Sequence, residues 1–392
     1  MTRDFTHRMK IAGTETAFEV LALATQLEAK GKNIVHLEIG EPDFDTPENI
    51  KEAAIRAIKS GYTHYTPAPG IPELREAIAQ KVTENTGVTL DYRENVVVMP
   101  GAKPCIYSAI MALIEEGDEA IIPDPAFPIY ESVVNICGGR PVLVELKEEN
   151  GFRLNAEDIR KAITSKTKLL VLNSPHNPCG STLTKKDLVE IAELVYENDL
   201  WVISDEVYSR ILYDTKHYSI FSEANMKERT VLVDGFSKTF AMTGWRMGYA
   251  IGPKEIIDHM TRLQININSC VTAFSQIAAI EAINGPQDEI SRMIEEYDIR
   301  RKTVVDGLNG INGITCQIPT GAFYVFPNIT ELNIKSEDLM KKILNEAQVA
   351  TLHGTAFGRY GEGYLRLSYA TNIENIKEGI KRIDEYVSSE LV

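Results

Sequence analysis

The chain has 392 residues, 44% apolar and 25% charged, an ordinary globular composition with length enough for two or three domains. Its net charge of −15 repels nucleic acid and anionic lipid at long range, and no Lys/Arg-rich tract offsets that field, so no nucleic-acid partner is expected. No apolar run is long enough to span a membrane, and "MTRDFTHRMK" lacks the apolar core and small-residue cleavage site of a secretory leader. Five scattered cysteines without C-x-x-C spacing point to free thiols in a reducing cytoplasm, against disulfides or zinc.

In chain order, "TAFEVLALATQLEAKG" reads as an amphipathic helix in the first forty residues. "TPENIKEAAIRAIKSG" is a helix expected to open with Thr46 as N-cap and Pro47 at N1, close at Gly61, and turn Ile50, Ala54 and Ile58 to one face. Then come seven short apolar runs, "NVVVMP", "EAIIP", "PVLVEL", "KLLVLNSP", "LWVISDE", "TVLVDGF" and "MGYAIG". They are rich in Val, Ile and Leu with little polar alternation, as strands buried on both faces are. Helices fall between them, such as "TKKDLVEIAELVYEND", which starts at Thr184 and lines up Leu188, Ile191, Ala192 and Val195. Such alternation predicts an α/β fold, a mostly parallel seven-stranded sheet sandwiched by helices. A long polar helix over Gln287–Asn309, the runs "GAFYVF", "VATLHG" and "YLRLSY", and a last helix with Thr371 and Glu374 as capping box predict a smaller α+β domain. The expected division is 1–45 as an N-terminal segment joining that smaller domain, 46–286 as the large domain and 287–392 as the small one.

Ligands of an open parallel sheet bind beyond the carboxyl ends of its strands, so the residues after each run carry the chemistry. "NSPHNPCG" follows one run as a rigid turn bearing Asn177; Asp205, Glu206 and Tyr208 follow the next; Ser237 and Lys238 follow "TVLVDGF". Singly, a lysine is a solvated residue, an aspartate after a strand is a helix cap, and Asn-Pro is a turn. Together, an amine, a buried acid, a phenol and an amide are what an aldehyde cofactor such as pyridoxal phosphate uses. The amine forms an imine, the acid keeps the pyridine nitrogen protonated, and Tyr208 and Asn177 reach the ring oxygen. Arg246, boxed between Trp245 and Met247, offers a planar fork to the phosphate, and the small-residue turn Gly101-Ala102 opens a helix whose N–H groups form a second cradle.

"NSPHNPCG", "SDEVY", "SKTFAMTGWRMGY" and "RLSYA", with "GEPDFDTP" and "YTPAPGIPELREAI", together resemble the class I aminotransferases of the fold-type-I pyridoxal phosphate enzymes, in the bacterial and archaeal aspartate aminotransferase-like subgroup. The resemblance runs from about Gly40 to Ala370. It implies pyridoxal 5'-phosphate as cofactor and transfer of an amino group from an L-amino acid, aspartate mildly favoured, to a 2-oxo acid such as 2-oxoglutarate. It implies Lys238 as cofactor lysine and proton shuttle, Asp205 at the pyridinium nitrogen, and Asn177 and Tyr208 at the ring oxygen. Phe127 in "DPAFPIY" stands where the family stacks an aromatic ring. Arg366 matches the arginine that clamps the α-carboxylate, and Gly40 lies where backbone approaches that group. Tyr65 matches a tyrosine reaching the phosphate from a neighbouring subunit, which implies a homodimer with shared active sites.

This sequence departs from the family twice. Many relatives carry a serine three residues before the lysine, where Gly235 stands here, with Ser237 directly before Lys238. "INSCVTAF" lacks the arginine that in the aspartate enzymes reaches the substrate's distal carboxylate from the other subunit. Lys103 is the candidate substitute, as a lysine in a similar "GGK" turn of one bacterial subgroup; a phosphate neighbour or a solvated residue is the alternative. Rival chemistries are a C–S β-lyase, an aromatic, alanine-type or broad-specificity aminotransferase, and an effector-sensing domain, for which a DNA-binding module ahead of "GEPDF" is not expected. A nucleotide-dependent dehydrogenase is disfavoured because no strand runs into G-x-G-x-x-G, and "GRYGEG" reads as a loop. His176 and His353 are expected in turns or packing rather than in the site.

Overall fold

The computed structural model describes residues 6–391; the first five residues of the expected N-terminal segment, and Val392, lie outside the described residues. Helices α1 (His7–Ile11) and α2 (Thr16–Glu28) lead to strand β1 (Val35–His36), then α3 (Glu48–Lys59), α4 (Pro72–Thr86) and the short α5 (Tyr92–Asn95). The seven expected strands follow as β2 (Val96–Met99), β3 (Glu119–Asp124), β4 (Arg140–Glu145), β5 (Thr167–Asn173), β6 (Trp201–Asp205), β7 (Thr230–Gly235) and β8 (Gly248–Ile251). Between them lie α6 (Ala102–Leu113), α7 (Ile129–Ile136), α8 (Ala156–Ala162) and α9 (Lys185–Glu197). The chain continues through α10 (Lys254–Asn268), α11 (Ala273–Asn284), α12 (Asp288–Asn309), β9 (Tyr324–Val325), α13 (Ser336–Lys342), β10 (Val349–Ala350), β11 (Leu352–His353), β12 (Leu365–Ser368) and α14 (Ile373–Glu390).

The strands β2 to β8 form one sheet in the order β2-β8-β7-β6-β5-β3-β4. All pairings are parallel except those of β8, which runs against both β2 and β7. Alternate strand residues enter opposite cores, since successive side chains point to opposite faces. Val97, Ile122, Val171, Ile203 and Val233 pack with α6, α7 and α10, while Val98, Ile121, Leu170, Val202 and Leu232 pack on the other side with α4, α9 and α11. Burial on both faces explains the missing polar alternation.

A smaller set of strands joins the two ends of the chain. β1 pairs in parallel with β10, and β11, β12 and β9 form an antiparallel sheet. Ser368 N donates to Leu37 O at 2.7 Å, tying β12 to the segment after β1. Among the described residues no helix is long and apolar enough to cross a membrane.

Helix ends show where local signals succeed and fail. Thr184 caps α9 in a full capping box with Asp187. Thr46 does not cap α3: its hydroxyl donates to Ala241 O at 2.6 Å, and Pro47 is the cap residue instead. Ile50 and Ala54 are buried, but Ile58 is 47% exposed, and Ala53 and Ala57 complete the buried face. Asn372, not Thr371, caps α14, its side chain accepting from Asn375 N, while Thr371 Oγ1 accepts from Asn375 Nδ2.

Gly248, first residue of β8, lies against the turn that opens α6: a Cβ there would sit 2.5 Å from Ala102 N and from Gly101 C. Gly248→Ala is therefore expected to destabilise the fold by about 1–3 kcal/mol through overpacking. Thermal unfolding beside Gly244→Ala, where an added Cβ meets nothing within 4 Å, checks this; equal midpoints for the two variants would refute it.

Candidate active site

The strands β7, β6 and β5 are neighbours, with Asn173 opposite Asp205 and Asp205 opposite Val233, so their carboxyl ends open onto one place. A cavity of about 540 Å³ lies there. Asp205 ends β6 and is 3% exposed. Its Oδ2 accepts from the Tyr130 hydroxyl at 2.6 Å and its Oδ1 from Val207 N at 3.2 Å. Burial pushes its pKa up from 3.8 to about 6, and those two hydrogen bonds oppose the rise. Asn173 organises the next loop: its Nδ2 donates to Asp205 O at 3.0 Å and its Oδ1 accepts from Asn177 N at 2.9 Å. Asn177 is buried, and its side-chain carbonyl has no hydrogen-bond partner among the described residues.

Lys238 lies in the turn after β7 and donates to Gly40 O at 2.6 Å. Burial lowers its pKa from 10.5 to about 8; Glu41 opposes this, while Arg366 and Lys103 add to it. Close to neutral pH this amine thus gives up its proton far more readily than a surface lysine. The Tyr208 and Tyr324 hydroxyls are 2.7 Å apart, and burial raises both phenols above their ordinary range.

The second wall comes from the small sheet and the chain before α3. Arg366 in β12 is 4% exposed, and its guanidinium lies 4.5 Å from the Tyr324 ring centroid and 5.1 Å from that of Phe357. Its Nη2 donates to Glu38 O, and its Nε has no hydrogen-bond partner among the described residues. Gly40 passes so close to the Tyr324 hydroxyl that no side chain fits there.

Arg246 arrives by an unexpected route. It precedes β8, and because β8 is antiparallel its start lies at the same sheet edge as the carboxyl ends of β2 and β7. Arg246 has φ +53°, and its Nη1 donates to Thr243 O at 2.7 Å. Its Nη2 lies 2.6 Å from where Gly101 would carry a Cβ, and Gly101, at φ +108°, caps α6 with no side chain of its own. Gly235, at the end of β7, is closely packed: a Cβ there would stand 3.2 Å from Met247 O and 3.4 Å from Gly248 Cα.

Of the residues singled out from sequence, Lys238, Asp205, Tyr208 and Asn177 line the cavity, with Ser237 and Arg246 beside them. Phe127, Ala102, Lys103, Gly40 and Arg366 complete that set, and Gly101 abuts it through Arg246. Tyr65 is 90% exposed and outside the cavity of its own chain. His176 is buried away from the cavity with its pKa lowered by burial to about 3, and His353 meets Thr355 Oγ1 at 2.6 Å. Tyr130, Tyr324, Glu15 and Phe18 also line the cavity and were not singled out. Tyr130 could have been noticed three residues after Phe127 in "DPAFPIY"; Tyr324 sits in an apolar run that reads as core.

Fold and cavity together define an α/β enzyme built around a small charged cofactor. A family model for aminotransferases of class I and II matches residues 32–383. An aspartate aminotransferase of Pyrococcus abyssi is 46% identical over 357 residues, 90% of this chain and 92% of that protein. Aromatic-amino-acid aminotransferase 2 of Thermococcus litoralis is 42% identical over 357 residues, with the same coverage. The crystal structure of a Pyrococcus protein designated A1 superposes with a TM-score of 0.95 at 43% identity, covering 98% of this chain and 99% of that one. The chain belongs to the class I and II aminotransferases. It is a pyridoxal 5'-phosphate-dependent enzyme that moves amino groups between amino acids and 2-oxo acids.

The residues present fit that cofactor. The missing side chain at Gly101 lets the Arg246 guanidinium lie against the start of α6, where an anion would meet both, the amide of Asn177 at the cavity has its oxygen unpartnered among the described residues, and the buried Asp205 calls for a cation. An acid whose pKa rises on folding binds its proton better in the native state, so stability falls as pH climbs from about 4 through about 6. Asp205→Asn is therefore expected to stabilise the coenzyme-free protein at about pH 8, by up to about 3 kcal/mol, and to lose that advantage below about pH 4. Melting curves of both proteins at the two pH values test it; identical curves at high pH would rule it out.

Proposed function

We propose that L-aspartate is the favoured amino donor, that 2-oxoglutarate or a similar 2-oxo acid is the acceptor, and that Lys238 is the proton-transferring base. The observation that carries this reading is the proximity, in one cavity, of an amine with pKa lowered to about 8, the buried acid Asp205, the buried guanidinium of Arg366 for one carboxylate and the ammonium of Lys103 for a second. When bound, pyridoxal phosphate supplies an aldehyde that accepts the amino group and a protonated ring that delocalises the electron pair left at Cα.

The residues of this chain do the rest. Arg366 holds the substrate α-carboxylate with its fork, its free Nε and the Tyr324 face fixing the plane. Lys238 Nζ would take the proton from substrate Cα and return it at the former aldehyde carbon, so that hydrolysis can release the 2-oxo acid, which an ordinary lysine ammonium could not do at neutral pH. Asp205 faces the ring nitrogen as a carboxylate, held by Tyr130. Tyr208 and Asn177 meet the ring oxygen, Phe127 covers one ring face, and Arg246, Ser237 and the first amides of α6 receive the phosphate. Lys103 receives the distal carboxylate of aspartate; the names of the Pyrococcus abyssi and Thermococcus litoralis relatives point to acidic and aromatic donors respectively, so this residue is the discriminating one.

The working unit in this reading is a homodimer. Ile55, Ile58, Tyr62 and Tyr65 are each between 47% and 90% exposed, a run of apolar surface on and after α3 that a second copy would cover while bringing Tyr65 to its neighbour's phosphate. Residues 1–45 and 287–392 are taken as one body beside 46–286, a division supported by the β1–β10 pairing.

Lys238→Ala is expected to lower turnover by about 10³-fold or more while the variant still folds, as its far-ultraviolet circular dichroism would show; wild-type rates in that variant would end the assignment. A donor panel with 2-oxoglutarate, repeated with Lys103→Ala, reads the specificity. A loss confined to acidic substrates supports the proposed contact, whereas an equal loss for every donor removes it.

A further inference from the structure

Lys103 does not meet the cavity alone. Its ammonium pairs with the carboxylate of Glu15, and both side chains line the cavity, 39% and 25% exposed respectively. Glu15 is the N-cap residue of α2, yet its side chain makes no capping hydrogen bond and reaches across to Lys103 instead. The stretch of chain that carries it is pinned two residues earlier, where Gly13 N donates to Ser132 Oγ at 3.0 Å and Ser132 Oγ donates to Gly13 O at 3.3 Å on α7. The charge of Glu15 also acts on Lys238, Arg366 and Tyr324. Nothing in the sequence motifs anticipates this residue, which lies 88 positions from its partner.

We propose that Glu15 is an internal stand-in for the substrate's side-chain carboxylate, a counter-ion that an acidic substrate must displace from Lys103 and a neutral one leaves in position. This rests on the assignment of Lys103 to the distal carboxylate. With the cofactor phosphate met by Arg246 and the α-carboxylate by Arg366, Lys103 and Glu15 form a remaining pair of zero net charge. A neutral side chain then meets a closed ion pair flanked by rings, the Lys103 Nζ lying 5.2 Å from the Phe127 centroid and 5.9 Å from that of Phe18. An acidic side chain brings a second carboxylate to one ammonium, and repulsion drives Glu15 toward the solvent it already touches. A partly exposed pair shifts an equilibrium by no more than about fivefold, so Glu15 sets a ratio between donors rather than an absolute gate.

The test uses the holoenzyme, Glu15→Gln, Lys103→Ala and the double variant. The probes are succinate, a dicarboxylate with no amino group, titrated by calorimetry, and the kcat/KM ratio of aspartate to alanine in the donor half-reaction. Glu15→Gln is expected to tighten succinate and raise that ratio about three- to fivefold, and to do neither once Lys103 is Ala. If Lys103→Ala weakens succinate but Glu15→Gln leaves it unchanged or weakens it, the displacement proposal is overturned and the role of Lys103 stands. If Lys103→Ala leaves succinate affinity unchanged, both are overturned. Equal gains for aspartate and alanine would make Glu15 a general structural residue and likewise overturn the proposal.

Discussion

A carboxylate kept out of water at the end of a parallel strand is the constraint around which this molecule is arranged. Asp205 lies between β5 and β7, almost fully buried, with one phenol and one amide to support its charge. Such a group remains an anion at neutral pH most readily when a cation stands beside it. In the proposed reading the protonated ring nitrogen of pyridoxal phosphate would be a cation of that kind and would turn an unfavourable burial into a binding interaction. The neighbouring groups are aligned by the same strand: Asn173 reads the Asp205 carbonyl and in turn holds Asn177.

The reversal of β8 solves a second problem, how to bring a guanidinium to the carboxyl edge of a parallel sheet. A parallel strand in that position would direct the residue before it to the far edge. Running antiparallel, β8 starts where β2 and β7 end, so Arg246 and the opening of α6 meet there. The fit is tight enough that Gly248 and Gly101 both lack space for a side chain. Small residues at these positions keep backbone amides of α6 within reach of an anion, since the first turn of a helix leaves its N–H groups without intrahelical partners.

The opposite wall is made by segments from both chain ends. Arg366 is braced by Tyr324, Phe357 and the Glu38 carbonyl, while Lys238 bonds the next part of the same segment at Gly40. Lys103, Lys238, Arg246 and Arg366 line the cavity together with the carboxylates Glu15, Glu41 and Asp205, a charge balance unlike that of the whole protein at −15. Local groups rather than the overall field set the potential that an anionic substrate meets inside.

Apolar runs declared the seven strands, buried on both faces save for the half-buried edge strand β4, and the residues just beyond them declared the amine, the acid, the phenol and the amide, because in a parallel sheet the chemistry collects at strand ends. Helix ends were less legible: Thr46 and Thr371 have the right chemistry for caps but are engaged elsewhere, by Ala241 and Asn375. Ile58 follows the helical period of a core face and is exposed nonetheless. The sequence by itself thus determined the sheet, its cofactor-facing edge and most of the groups on that edge. Only the tertiary structure decided which side chains support them. Tyr130 finds Asp205 across 75 residues, Tyr324 finds Tyr208 across 116, and Glu15 finds Lys103 across 88. Contacts at such separations depend on how whole elements pack and leave no period or motif in the local chain.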